Sequence, residues 1–198
     1  MRTGTARDEG EASRGTTRQA ILEAAERILA REGEQALSIR ELCAQVGVTA
    51  PTIYHHFGDK AGLVAEVVDE CFAEFDRALA AEPPPADPVD ALPWAFDRYV
   101  DYGVAHPAHY RLLFRRRLPA PTPAAIASYA RLERLMEAID AAGRLRVPVA
   151  EAAPACWAAV HGVTELVIAG FVPREAPAVR HVRDAIVHEL VKSKGDMR

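Results

Sequence analysis

Between Thr49 and His56 the chain gathers Thr49, Thr52, Tyr54, His55 and His56 around Ile53, so hydroxyls and imidazoles share one short stretch. Such groups bond base edges and phosphates, as a helix lying in the DNA major groove requires near its N-terminal half. A second set stands far downstream. Trp157, His161 and Glu165 follow at four-residue spacing, which in a helix lays an aromatic, an imidazole and a carboxylate along one stripe. That stripe suits a mostly apolar ligand pocket between helices, walled also by Phe96, Tyr99, Tyr102, Tyr110, Phe114 and Met136. The competing reading is core: for any single aromatic it is the stronger one, and for His161 the two stand level.

Covalent, redox and metal chemistry find little to work with. There is no nucleophile elbow, P-loop, dinucleotide fingerprint or HExxH, and the only clustered titratable pair is His161 with Glu165, so an enzyme is not expected. His106 and His109 are three apart and His161 with Glu165 would complete a metal set, but Pro107 breaks the helix between the first two and no cysteine cluster stands near. No metal and no cofactor is expected. Cys43, Cys71 and Cys156 lie far apart within apolar helical patterns, which makes them reduced, buried, unreactive thiols.

These groups must be positioned by helices. Thr16 and Gln19 form a capping pair ahead of Ile21, Leu22, Ala25, Ile28 and Leu29, and Gly33 closes that helix. Residues 1–15 have hardly any apolar side chains and are expected to be a disordered arm. Ser38 and Glu41 cap a short second helix bearing Ile39, Leu42 and Val46, ended by Gly47; Thr49 caps a third, with Pro51 in its first turn. Asp59 caps a long fourth, Lys60 to about Ala81, before Pro83, Pro84 and Pro85. A fifth runs from Asp87-Pro88 to about Ala105 and a shorter sixth carries Tyr110, Leu113 and Phe114; then come Ala124 to Ala142, about Ala153 to Phe171, and about Glu175 to Val191. Nothing alternates with period two, so the fold class is all-α, with about nine helices.

With 198 residues, 49% of them apolar, the chain can bury a real core, and its net charge of −4 opposes a protein that coats nucleic acid through bulk positive charge. DNA binding must then be local, and even Thr16 to Leu63 is not basic. No uncharged apolar run reaches roughly 18 residues and the start is polar, which points to the cytoplasm and away from a membrane. The strongest basic cluster, Arg111 with Arg115, Arg116 and Arg117, reads as a solvated face.

Ser38 to Gly58 has the logic of a helix-turn-helix, with Leu42, Val46, Val48 and Ile53 supplying contacts between two short helices. Together with its flanks, Thr17 to Leu63 resembles the DNA-binding region of the TetR family of regulators, on the composite of Gly47, Tyr54, Phe57, Lys60 and Leu63 within Thr52-IYHHFGDKAGL. That resemblance implies a helix-turn-helix domain over 16–62 and a helical ligand-binding and dimerisation domain over 63–198. It places Thr49, Thr52, Tyr54 and His55 against DNA and Lys60 on a phosphate, with Ser38 and Arg40 as weaker phosphate contacts. Downstream, Trp157, His161 and Gly162 match the Trp-His-Gly signature of a subset of that family. Leu166 and Val167, with Val179, Val182, Ile186 and Leu190, then correspond to a four-helix dimer interface. The function so implied is a repressor that binds a near-palindromic double-stranded operator as a homodimer and is released by a largely apolar small molecule. An architectural DNA-binding protein without an effector is the alternative, and an enzyme using the helical pocket the remote one.

Overall fold

The computed structural model describes residues 5–114 and 120–192, with side chains from Gly15 onward. Arg115, Arg116 and Arg117 fall outside the described residues. Among the described residues nine α-helices follow in order: α1 Thr5–Glu32, α2 Ile39–Val46, α3 Ala50–Phe57, α4 Lys60–Leu79, α5 Pro88–Ala105, α6 Pro107–Phe114, α7 Pro123–Ala141, α8 Val149–Ile168 and α9 Pro177–Leu190, with a 3-10 turn at Glu34–Ala36. Among the described residues there is no strand, only an isolated antiparallel bridge between Leu145 and Val191.

The chain divides into two compact units, residues 1–71 with 111–122, and residues 72–110 with 123–198. This differs from a division after residue 62. Leu63, Val64, Val67 and Val68 of α4 are buried, and Glu66 pairs with Arg18 of α1, so the first turns of α4 belong to the N-terminal unit.

In the N-terminal unit α1 packs on α2 and α2 on α3. Ile21, Leu22, Ala25, Ile28 and Leu29 are all buried, as the helical period of α1 requires. The helix begins at Thr5, earlier than the Thr16 cap predicts. Ala6, Arg7, Glu9, Glu11 and Ala12 are good helix formers, and propagation onto an existing helix costs far less than nucleation. Ser38 caps α2 by accepting from the Glu41 N–H at 3.4 Å, and Asp59 caps α4 by accepting from the Gly62 N–H at 2.7 Å. Between α2 and α3 the chain reverses at Gly47, which sits in the left-handed region at φ 75° and donates to the Cys43 carbonyl at 2.9 Å. A side chain there is strained, so glycine sets the turn.

In the C-terminal unit α8 is the central element, packed on α5, α7 and α9. One apolar cluster joins Leu92 of α5, Met136 and Ile139 of α7, Ala152, Ala153 and Cys156 of α8, and Leu190 and Val191. Helix α8 starts at Val149 rather than near Ala153 and runs through Pro154, forgoing one i→i−4 bond. At Gly103 of α5 an added Cβ would lie 2.4 Å from Thr164 Cγ2 of α8, so the two backbones approach as glycine alone permits. Two backbone bonds, Arg146 N–H to the Leu190 carbonyl at 2.8 Å and Lys192 N–H to the Arg144 carbonyl at 2.7 Å, tie the end of α9 to the α7–α8 loop.

Candidate functional site

Helix α3 has one buried edge and one open one. Ile53 and Phe57 are buried, whereas Pro51, Tyr54 and His55 are exposed, and Thr52 and His56 lie half-buried between. At 100° per residue this places Tyr54, Pro51 and His55 on one arc with Thr52 at its edge. Tyr54 is 46% exposed. The His56 ring sits 5.9 Å from that of Phe57, so it leans toward the core side.

Thr49 departs from its expected role. It stands at the N-cap of α3, but its hydroxyl makes no cap bond; Oγ1 lies 3.0 Å from Thr52 Oγ1. The two hydroxyls hold one another at the start of the exposed arc. Lys60, at the first position of α4, donates to the Glu34 carbonyl at 3.2 Å and so anchors α4 to the turn after α1. Arg40 is exposed, and Ser38 is half-buried with its oxygen engaged as a cap.

In the C-terminal unit the aromatics expected around a pocket form a bonded array. Tyr110 is fully buried, and its hydroxyl lies 2.6 Å from His161 Nδ1 and 3.3 Å from the Tyr99 hydroxyl. Trp157 donates to Tyr99 as well, and its ring is 6.3 Å from that of His161. Burial pushes both tyrosine hydroxyls well above their ordinary range, so they stay protonated. The same desolvation lowers His161 below its ordinary 6.5, opposed by the Glu165 carboxylate. With its own N–H on Nε2, a neutral His161 accepts a hydrogen bond from the Tyr110 hydroxyl at Nδ1. Tyr102 reaches His109 Nδ1 at 3.3 Å, and His109 faces Glu74 at 3.5 Å.

The remaining expected residues are placed as follows. Met136 belongs to the apolar cluster with Leu92, Ile139 and Cys156, because α7 turns it into the helix core. Phe114 falls in the N-terminal unit, since the division cuts α6 after Tyr110. Val179 and Leu190 are buried within their own chain, at 0% and 3% exposure. Leu166 and Val182 are exposed at 48% and 38%, with Val167 and Ile186 half-buried. The periodicity did not single out Phe75, whose ring meets those of Tyr99 and Tyr102 edge-on at 5.3 and 5.0 Å, or Tyr129, which meets Trp157 at 5.6 Å. Nor did it reveal the charged cluster in which Arg174 reaches Asp101 at 2.6 Å and Arg183 pairs with Asp97, a long-range set whose members lie far apart in sequence.

Two family models match the chain. Residues 21–67 fit "Bacterial regulatory proteins, tetR family", and residues 95–191 fit "Tetracyclin repressor-like, C-terminal domain". Among curated relatives, the HTH-type transcriptional repressor SCO4008 of Streptomyces coelicolor is 36% identical over 98 residues, 50% of this chain and 48% of that protein. The HTH-type transcriptional repressor Rv3405c of Mycobacterium tuberculosis is 34% identical over 98 residues, 50% of each. The chain thus spans about half the length of these relatives. A solved TetR family transcription regulator from Marinobacter aquaeolei matches with TM-score 0.71 over 92% of this chain and all of the other, at 17% identity, which speaks for the fold.

Proposed function

Because the chain belongs to the TetR family of bacterial regulatory proteins, matched in both its N-terminal and its C-terminal portions, we propose that it is a cytoplasmic, ligand-responsive repressor that binds a near-palindromic operator as a homodimer. The observation that carries this reading is α3 itself, with Ile53 and Phe57 buried and Thr49, Thr52, Tyr54 and His55 along its open side. The N-terminal unit that holds α3 is assigned to DNA, with Lys60, Arg40 and Ser38 flanking the helix toward phosphates, and the C-terminal unit to effector binding and dimerisation. The Lys60 ammonium keeps N–H groups beyond the one given to Glu34, so a phosphate and the tether are compatible.

Leu166, Val167, Val182 and Ile186 form the proposed dimer seam. A two-fold axis there sets two α3 helices about 34 Å apart, one turn of DNA. A small apolar effector enters the unit that holds Tyr99, Tyr102, Tyr110, Phe96, Trp157, His161 and Glu165. Trp157, His161 and Gly162 fit the Trp-His-Gly subset. Helix α4 is continuous from Lys60 to Leu79 and crosses the division between units at Cys71, as α6 does after Tyr110, so it is one covalent route by which occupancy changes operator affinity. The test is footprinting on DNA upstream of the chain's own gene and its neighbours. A short protected near-palindrome supports the regulator; broad protection without sequence preference supports an architectural protein instead.

A further inference from the structure

Arg18 of α1 reaches two other elements of the N-terminal unit. Its guanidinium carbon lies 5.5 Å from the centroid of the Phe57 ring, and its Nη2 pairs with the Glu66 carboxylate of α4. Phe57 is the last residue of α3 and is buried. At this distance a guanidinium over an aromatic face is attractive, and a planar guanidinium stacks while pairing in its own plane. Gly58 follows Phe57 at φ 76°, so beyond Phe57 the helix has no further turn to hold its end.

We propose that Arg18 is a positioning residue for DNA recognition: by stacking over Phe57 and pairing with Glu66 it fixes the C-terminal end of α3 without touching DNA itself. The inference rests on the regulator reading. The charge distribution separates it from the obvious rival, in which Arg18 is a phosphate contact. A phosphate-binding arginine shares in counterion release, and a neighbouring carboxylate weakens it. Glu66→Gln then has opposite signs under the two accounts. For a phosphate contact, removing Glu66 frees the arginine and strengthens binding to all DNA. For a positioning residue, removing Glu66 loosens α3 and weakens specific binding, although the protein has lost a negative charge.

The test uses the full chain with Glu66→Gln, Arg18→Ala and Arg18→Lys. Amide hydrogen exchange is read at Tyr54 to Phe57 in the free protein, and operator affinity is read over a salt series. Faster exchange in α3 is expected for Arg18→Ala and Glu66→Gln, with specific affinity falling roughly three- to tenfold and an unchanged salt slope. Arg18→Lys keeps the charge but not the stacked plane and should fall between. Unchanged exchange in α3, a salt slope lower by about one unit in Arg18→Ala, or tighter binding by Glu66→Gln each overturns the proposal. If the unmodified chain selects no DNA sequence, the regulator reading fails, while the exchange data still decide whether Arg18 holds α3.

Discussion

The Tyr110 hydroxyl of α6 lies 2.6 Å from His161 Nδ1 of α8, with their rings stacked at 5.6 Å. A fully buried phenol is thereby hydrogen-bonded to a half-buried imidazole across two helices. That bond satisfies a group which burial would otherwise leave costly, and it selects the His161 tautomer.

The pH dependence follows from the direction of the His161 shift. Its folded value lies below the ordinary 6.5, so near that pH the unfolded chain binds more protons than the folded one. This residue's contribution to stability is therefore fully present above 6.5 and is lost as acid drives the pH down through the folded value. Urea midpoints across this range should show the unmodified chain weakening relative to His161→Gln as the pH falls. A pH-independent difference between the two would show that His161 does not titrate with folding.

Gly103 sets the α5–α8 separation. Gly103→Ala forces a Cβ to within 2.4 Å of Thr164 Cγ2 and is expected to destabilise the fold by about 1–3 kcal/mol. Thr164→Ser deletes that methyl while keeping the hydroxyl that donates to the Val160 carbonyl at 2.6 Å, so the double variant should recover part of the loss. Denaturant unfolding of the two singles and the double reads this coupling.

Dimerisation is expected to depend on residues that are open in the single chain. Leu166→Glu with Val182→Glu places charges on side chains that are 48% and 38% exposed, so the monomer should stay folded while the dimer dissociates. Light scattering should give half the mass, with unaltered helical circular dichroism and strongly weakened operator binding. A dimer that survives both changes would place the interface elsewhere.

Thiol chemistry gives a simpler check. Cys156 is buried and its thiol is pushed up to about 12 by desolvation, whereas Cys43 is half-buried. Alkylation of the native chain at mildly alkaline pH should modify Cys43 first and leave Cys156 protected until unfolding.

Local signals in the sequence carried much of the fold. Ser38 with Glu41, Gly47, and Asp59 ahead of Gly62 each act through bonds spanning a few residues, so type and spacing suffice to place α2, the turn and the start of α4. Thr49 shows the limit: a threonine before a helix reads as a cap, yet Thr52 sits close enough to take its hydroxyl. Long-range pairing left no local trace. Arg174 and Asp101 are 73 positions apart, and neither is distinguishable by type from any surface charge. The stripe Val179, Val182, Ile186, Leu190 identifies an apolar face but not what covers it; the fold places two of the four against their own chain.

The most direct measurement is operator affinity against non-specific affinity, by fluorescence anisotropy over a salt series, for the unmodified chain, Thr52→Ala, Tyr54→Phe and Lys60→Ala. If α3 reads bases, the first two variants should lose roughly tenfold on the operator and little on random DNA. Lys60→Ala should lower both and reduce the salt slope by about one unit. Equal losses on operator and random DNA for Thr52→Ala and Tyr54→Phe, or none at all, would contradict the assignment of α3 as the recognition helix.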